Sequence, residues 1–276
     1  MLNGASAPRS NAWRHRGSGR RPLAQNRRMT SSRLLVDARD GILTVTLNRP
    51  DKLNAIDNEL ARSLLEVIDR AAQEESVRVL MVRGAGKAFC AGRDITHPAT
   101  EEDLVLVQAV AKGLVSLAKP VVASVHGWTV GAGLEWMLNA DLVIAAESAR
   151  FRLPEASIGV FVTGGLTATL PAYAGLARAK ALMLLGEEFS STQAQAWGLV
   201  WQVVPDADLE STSRRIGAHL ASLGTEVASQ FKRVLNEVGL SRFDRAIELE
   251  NEAQRALQEG SNHRRALRAA TARDGE

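Results

Sequence analysis

A single cysteine, Cys90, stands in 276 residues. No disulfide can form within the chain, which excludes a secreted disulfide scaffold and a cysteine-rich zinc protein and fits a reducing compartment such as the cytoplasm. Histidine is also scarce, with five residues and none paired with acids at ligand spacing, so no metal site is expected. No apolar run reaches the roughly 18 to 20 residues that a bilayer span requires, because Gly, His, Ser, Asp or Arg interrupts every stretch; the expectation is a soluble protein with no membrane contact. The glycine-rich segments contain neither G-x-G-x-x-G nor a P-loop with its Lys-Ser/Thr, and this removes support for nucleotide hydrolysis and dinucleotide redox chemistry. Aromatics make up 4% of the chain, but the apolar share of 45% is enough for one large domain, or one domain with an appendage.

Acidic residues are missing from the first 36 positions, where Arg9, Arg14, Arg16, Arg20, Arg21, Arg27, Arg28 and Arg33 stand. With those eight charges set aside, the formal net charge of +3 becomes −5 for the remainder. The body is therefore no obvious nucleic-acid binder, and the basic character belongs to the leader. Residues 1–28 are rich in Arg, Ser, Gly and Asn without hydrophobic periodicity and are expected to be disordered. The favoured reading makes them upstream sequence, with the natural start at Met29. A mitochondrial transit peptide, which would place the protein in the matrix, is opposed by Pro8, Pro22 and several glycines. A basic arm touching RNA is the third reading.

From Leu34 the pattern changes. Leu34–Val36 and Ile42–Leu47 flank Asp40-Gly41 and predict a hairpin, ended by Asn48-Arg49-Pro50. Asp57 or Asn58 can cap a helix with Leu60, Leu64, Val67, Ile68 and Ala71 on one face. The β-branched run Val77–Val82 predicts a strand covered on both faces. A second helix carries Leu104, Val107, Ala111 and Leu114, and strands are expected at Val121–Val125 and Asp141–Ala145 with a short helix, Leu134–Ala140, between them. Strand, glycine loop and helix recur in a way that suggests a superhelix of similar turns rather than one doubly wound sheet. After Pro205 only helices are predicted, over Leu209–Leu223, Val227–Val238 and Phe243–Leu257, followed by a polar tail. This divides the chain into residues 1–28, 29–205 and 206–276.

Two carboxylates stand out at strand-to-helix or strand-to-loop junctions. Glu135 follows Gly131-Ala132-Gly133 within an otherwise uncharged run, and Glu155 follows Pro154. A carboxyl desolvated there would have its pKa raised toward the range useful for proton transfer; alternatively, Glu135 bonds backbone donors at a helix start and Glu155 forms a surface pair. The glycines leave backbone N–H groups unshielded, so the segments around Gly92–Asp94 and Gly131–Gly133 can serve as two halves of an oxyanion hole. Cys90 reads as a small buried residue and His126 as a hydrogen-bonded structural histidine. Trp128, Trp136, Phe161 and Phe189 read as core or interface.

Asn48-Arg49-Pro50 through Asn54-Ala55, Lys87–Asp94, His126-Gly127 with Gly131–Glu135, and Phe151-Arg152-Leu153-Pro154-Glu155 together resemble the enoyl-CoA hydratase/isomerase, or crotonase, family. The likeness continues through Leu185-Gly186-Glu187 and Trp197–Val200. It implies an α/β fold: a crotonase-like superhelix of repeated ββα turns with a C-terminal helical domain, assembled as trimers or dimers of trimers. It also implies an acyl-CoA thioester substrate, of which coenzyme A is a part, with no separate cofactor. The hole donors fall on the backbone N–H of Arg93 and Ala132, and the backbone around Asn54, Ala55 and Ala91 would hold coenzyme A, with Gly92, Asp94 and Gly131 beside the hole. Acids at both Glu135 and Glu155 imply a hydratase, in which one carboxylate activates water and the other manages the α-carbon proton. The alternatives are a double-bond isomerase, which needs only Glu155, and a non-catalytic RNA-binding member. Arg93 is bulkier than the family's usual residue, Ala132 replaces a common glycine, and Val162-Thr163 departs from a common turn beside the acyl group.

Overall fold

In the computed structural model, which describes residues 28–30, 32–96 and 100–259, the chain alternates short strands with helices up to Val204 and is helical thereafter. Strands β1 (Arg28–Thr30), β2 (Leu34–Arg39) and β3 (Ile42–Leu47) form an antiparallel meander. Asp40 and Gly41, at φ 53° and 78°, close the β2–β3 hairpin, the two consecutive left-handed residues that match the twist of the flanking strands. Helix α1 (Asn58–Gln73) is capped by the Asp57 carboxylate, which accepts from the Leu60 N–H at 2.8 Å, and it buries Leu60, Leu64, Ile68 and Ala71. Then follow β4 (Val79–Gly84), β5 (Ala88–Cys90), α2 (Glu101–Ser116), β6 (Val121–Val125), β7 (Trp128–Val130), α3 (Ala132–Leu138), β8 (Leu142–Ala146), β9 (Arg150–Arg152) and α4 (Glu155–Ile158). The remainder is α5 (Leu166–Ala174), α6 (Leu176–Leu185), β10 (Phe189–Ser190), α7 (Ser191–Ala196), β11 (Gln202–Val204), α8 (Leu209–Ser222), α9 (Thr225–Gly239) and α10 (Phe243–Glu259).

The strands make two sheets, one of order β1-β2-β3-β4-β6-β8-β11 and one of order β10-β9-β7-β5. From β3 onward the larger sheet is parallel, as chain crossovers through helices require. Alternation along its strands feeds two cores. Leu43, Val45, Leu80, Val82 and Ala123 face α1 and the second sheet, while Ile42, Val79, Met81, Val122 and Ile144 face Leu209, Ile216 and Leu220 of α8. Both faces of β4 are thus covered, as its continuous apolar run requires, although the strand begins two residues later than expected.

Helix α8 therefore completes the sheet layer. The change at Pro205 is one of element type, with no break in the core, and Ser213 of α8 hydrogen-bonds Ser124 of β6 in the interior at 2.9 Å. Helix α10 returns onto its own chain, packing Phe243 and Ile247 with Leu240 and with Ala111 of α2. Two further boundaries move. Arg28, assigned by the sequence to the leader, already belongs to β1 and pairs with Asp37, and α3 starts at Ala132, two residues early. Residues 1–27 of the expected leader, and the tail from residue 260, lie outside the described residues. Among those described, no helix is long and apolar enough to cross a membrane.

Candidate active site

The two glycine segments leave neighbouring strands of the smaller sheet, β5 and β7, and meet. A Cβ on Gly92 would lie 2.7 Å from the Val130 carbonyl oxygen and 3.6 Å from the Ala132 nitrogen, and one on Gly133 would lie 2.5 Å from the Cys90 carbonyl oxygen. Only glycine at both positions lets the backbones approach this closely. The Arg93 segment is pinned from the other side: Ile56 N–H donates to the Gly92 carbonyl at 2.7 Å and Asp94 N–H to the Ile56 carbonyl at 2.9 Å. That pairing leaves the Arg93 N–H without a partner among the described residues, and the Ala132 N–H, at the start of α3, likewise donates to none. Ala132 has negative φ, so the methyl group that replaces glycine there carries no backbone strain.

Glu135 and Glu155 converge on this place. Glu135, on α3, is buried; its Oε1 accepts from the Thr163 N–H at 2.9 Å and its Oε2 from the Thr163 hydroxyl at 3.4 Å. Gly164 makes the space, since a Cβ there would lie 2.6 Å from Oε2. Glu155 opens α4, and its Oε1 lies 2.5 Å from where a Gly131 Cβ would stand. Its Oε2 is buried without a hydrogen-bond partner among the described residues, a costly state for an ionised oxygen. Burial pushes the Glu155 carboxyl up to about 7. Glu135 is held well above the usual carboxylate range by burial first, then by the nearby charges of Glu155 and Glu250, against the two Thr163 hydrogen bonds.

The structure gives the polar atoms of the expected coenzyme A segment to the fold. Asn54 is fully buried at φ 58°; its Oδ1 accepts from the Arg49 N–H and its Nδ2 donates to the Ala85 and Ala88 carbonyls, all at 2.8 Å. Its side-chain oxygen and nitrogen are thus engaged in shaping the loop. Ala55 gives its N–H to the Lys52 carbonyl and its own carbonyl to Arg49, and the Ala91 N–H bonds the Leu53 carbonyl. Asp94 pairs with Arg49 at 2.9 Å; burial pushes its carboxyl up, but Thr96 and Arg49 outweigh that and hold it at about 2. These residues shape the loop that presents the Arg93 amide. The Arg93 side chain turns to Asp103 at the start of α2, at 2.6 Å.

Cys90 is buried, and burial pushes its thiol up to about 12, far from a nucleophile's range. His126 Nε2 donates to the Gly86 carbonyl at 2.8 Å. Three contributors were not found from sequence: Arg49, which also reaches Asp57 at 3.3 Å; Thr163, noted only as a departure; and Glu250 on α10. Thr163 and Glu250 meet partners distant along the chain, and Arg49 joins its near neighbours to the distant Asp94, so no local pattern marks them.

The enoyl-CoA hydratase/isomerase family profile matches residues 37–272. The 1,2-epoxyphenylacetyl-CoA isomerase of Escherichia coli K12 is 34% identical over 246 residues, covering 86% of this chain and 94% of that protein. The 2,3-dehydroadipyl-CoA hydratase of the same organism is 36% identical over 219 residues, covering 76% and 85%. Among solved structures, an enoyl-CoA hydratase from Mycobacterium avium subsp. paratuberculosis K-10 superposes with a TM-score of 0.83 at 31% identity, covering 87% of this chain and 96% of that one.

Proposed function

From a chain that belongs to the enoyl-CoA hydratase/isomerase family, we propose an enzyme that adds water across the double bond of a 2-enoyl-CoA thioester. The observation that carries this reading is the convergence of the buried Glu135 carboxyl and the half-buried Glu155, whose Oε2 is shielded from solvent, beside two unpartnered amides, Arg93 and Ala132. The amides polarise the thioester oxygen and stabilise the enolate charge that develops on it. Hydration then needs one ionised and one protonated carboxyl. The two Thr163 donors stabilise a Glu135 carboxylate against the burial and neighbouring charge that raise its pKa, whereas Oε2 of Glu155 receives none, and on that difference we assign the base to Glu135 and the acid to Glu155. Glu135 therefore takes a proton from water as the oxygen bonds C3, and Glu155 gives its proton to C2. The proton taken up by Glu135 balances the one delivered by Glu155.

Loss of conjugated enoyl-thioester absorbance measures this reaction. Purified protein is expected to hydrate a short, medium or aromatic 2-enoyl-CoA, and no hydration across such a panel overturns the reading. A second reading is double-bond isomerisation, which the hydratase/isomerase family description also covers. Only one acid is needed to carry a proton along the acyl chain. Activity that survives Glu135→Gln and is lost with Glu155→Gln would establish the isomerase; loss with either variant supports the hydratase.

A further inference from the structure

Glu250 lies on α10, 115 residues from Glu135, and has no place in the chemistry above. Its side chain is fully buried. Oε2 accepts from the Gly165 N–H at 2.8 Å, and Oε1 accepts from both the Thr167 N–H at 2.8 Å and the Thr167 hydroxyl at 2.7 Å. All three donors are neutral, and no cation pairs with this carboxyl among the described residues. A buried carboxyl is expensive unless satisfied, and this one is satisfied entirely by the turn that leads into α5. That turn continues the stretch in which Thr163 donates to Glu135 and Gly164 makes room for its Oε2. Next along the same face of α10, Gln254 Oε1 accepts from the Phe161 N–H at 2.6 Å. Helix α10 thus grips the segment on both sides of Thr163.

We propose that Glu250 is a positioning residue: by clamping the Gly165–Thr167 turn it fixes the Thr163 donors against Glu135, so that the C-terminal helix sets the geometry of the acid–base pair. The charged groups around Glu135 are Glu155 from α4 and Glu250 itself. The proposal rests on the hydratase reading for its kinetic consequence, but its structural core is independent of it. A glutamine at this position presents an amide N–H₂ to at least one of the three donors, which breaks part of the clamp while keeping the size of the side chain.

The test is Glu250→Gln, read in two ways on the full chain. In hydration kinetics kcat is expected to fall on the order of 10- to 100-fold with KM little changed, because the reacting geometry loosens while the binding surface is untouched. In infrared spectroscopy at about pH 5, below the raised range of both carboxyls, the protonated-carboxyl C=O band of Glu135, identified by its disappearance in Glu135→Gln, is expected to move to higher frequency as the Thr163 hydrogen bonds weaken. A folded Glu250→Gln protein with an unmoved band overturns the proposal. If wild-type protein hydrates nothing, the hydratase reading fails and the infrared result still decides the role of Glu250. Should Glu250→Gln not fold, Thr167→Val removes one neutral donor and is expected to shift the band in the same direction by less; no shift in that variant overturns the proposal.

Discussion

Glu155 and Gly131 make one of the tight contacts of the candidate site, because a carboxylate oxygen lies 2.5 Å from where any other residue would place a Cβ. Gly131 also sits at φ 52°, a conformation that costs a side-chain-bearing residue strain. Gly131→Ala is therefore expected to leave the chain folded while displacing Glu155 and tilting the Ala132 amide, with kcat on an enoyl-CoA falling on the order of 100-fold. A further prediction follows from the raised pKa of Glu155. The folded protein holds this proton up to about pH 7, whereas the unfolded chain releases it in the ordinary carboxylate range, so stability is full at acid pH and falls as pH rises through that window. Replacing the acid by its neutral isostere removes the penalty. Glu155→Gln should stabilise the protein at pH 8 by on the order of 2 kcal/mol, with no gain at pH 4; denaturant unfolding at the two pH values checks both halves. Both acids were legible in the sequence, since each follows small or turn-forming residues at a junction. Thr163 and Glu250 were not, because their partners lie 28 and 85 residues away.

Among the elements, α9 shows how one residue can tie a helix to a sheet. Lys232 enters the interior, where its Nζ meets Asp141 Oδ2 at 2.9 Å and donates to the Leu114 carbonyl at 2.9 Å and the Lys119 carbonyl at 3.3 Å. Asp141 in turn accepts from the Val121 N–H at 2.7 Å, so the pair joins α9 to the starts of β6 and β8. Burial lowers the Lys232 pKa and raises that of Asp141, each opposed by the other's charge. Removing one partner strands the other without compensation. Lys232→Met is expected to destabilise the protein by about 3 kcal/mol, measured by equilibrium unfolding, and Lys232→Met with Asp141→Asn to recover part of that loss. Helix α9 was expected from its periodicity. Its inward lysine was not, since a lysine in an amphipathic stretch ordinarily faces water.

At the scale of the whole molecule, α9 is also the helix whose apolar face is left uncovered. Phe231 is 68% exposed and Val238 77%, with Val227, Val234 and Leu235 beside them. A cavity of about 660 Å³ lined by Tyr173, Leu223, Phe231 and Leu235 adjoins this face. Helix α8, by contrast, covers the sheet and α10 packs on its own chain. Exposed patches of this kind mark interaction surfaces, and we expect copies of this chain to meet through α9. Light scattering should report an assembly well above the 29.7 kDa of one chain, and Phe231→Glu with Val238→Glu should reduce it toward the single-chain mass. A wild-type protein that stays at the single-chain mass at micromolar concentration would refute the expectation.

Local physics decided much of this protein from the sequence alone. The Asp40-Gly41 turn, the Asp57 cap, the β-branched strands and the helical periods after Pro205 each follow from residues a few positions apart, and the linked motifs from Asn48 to Glu155 carried the family. Tertiary structure decided what depends on distant partners. It placed Gly92 against Ala132 and Glu135 against Thr163 and Gly164, tied the side chains of Asn54 and Asp94 into the loop that presents the Arg93 amide, and brought Glu250 from the C-terminal helix to the edge of the candidate site. Whether a buried polar group serves chemistry or folding is set by which donors and acceptors surround it, and those arrive from elements that the chain order keeps far apart.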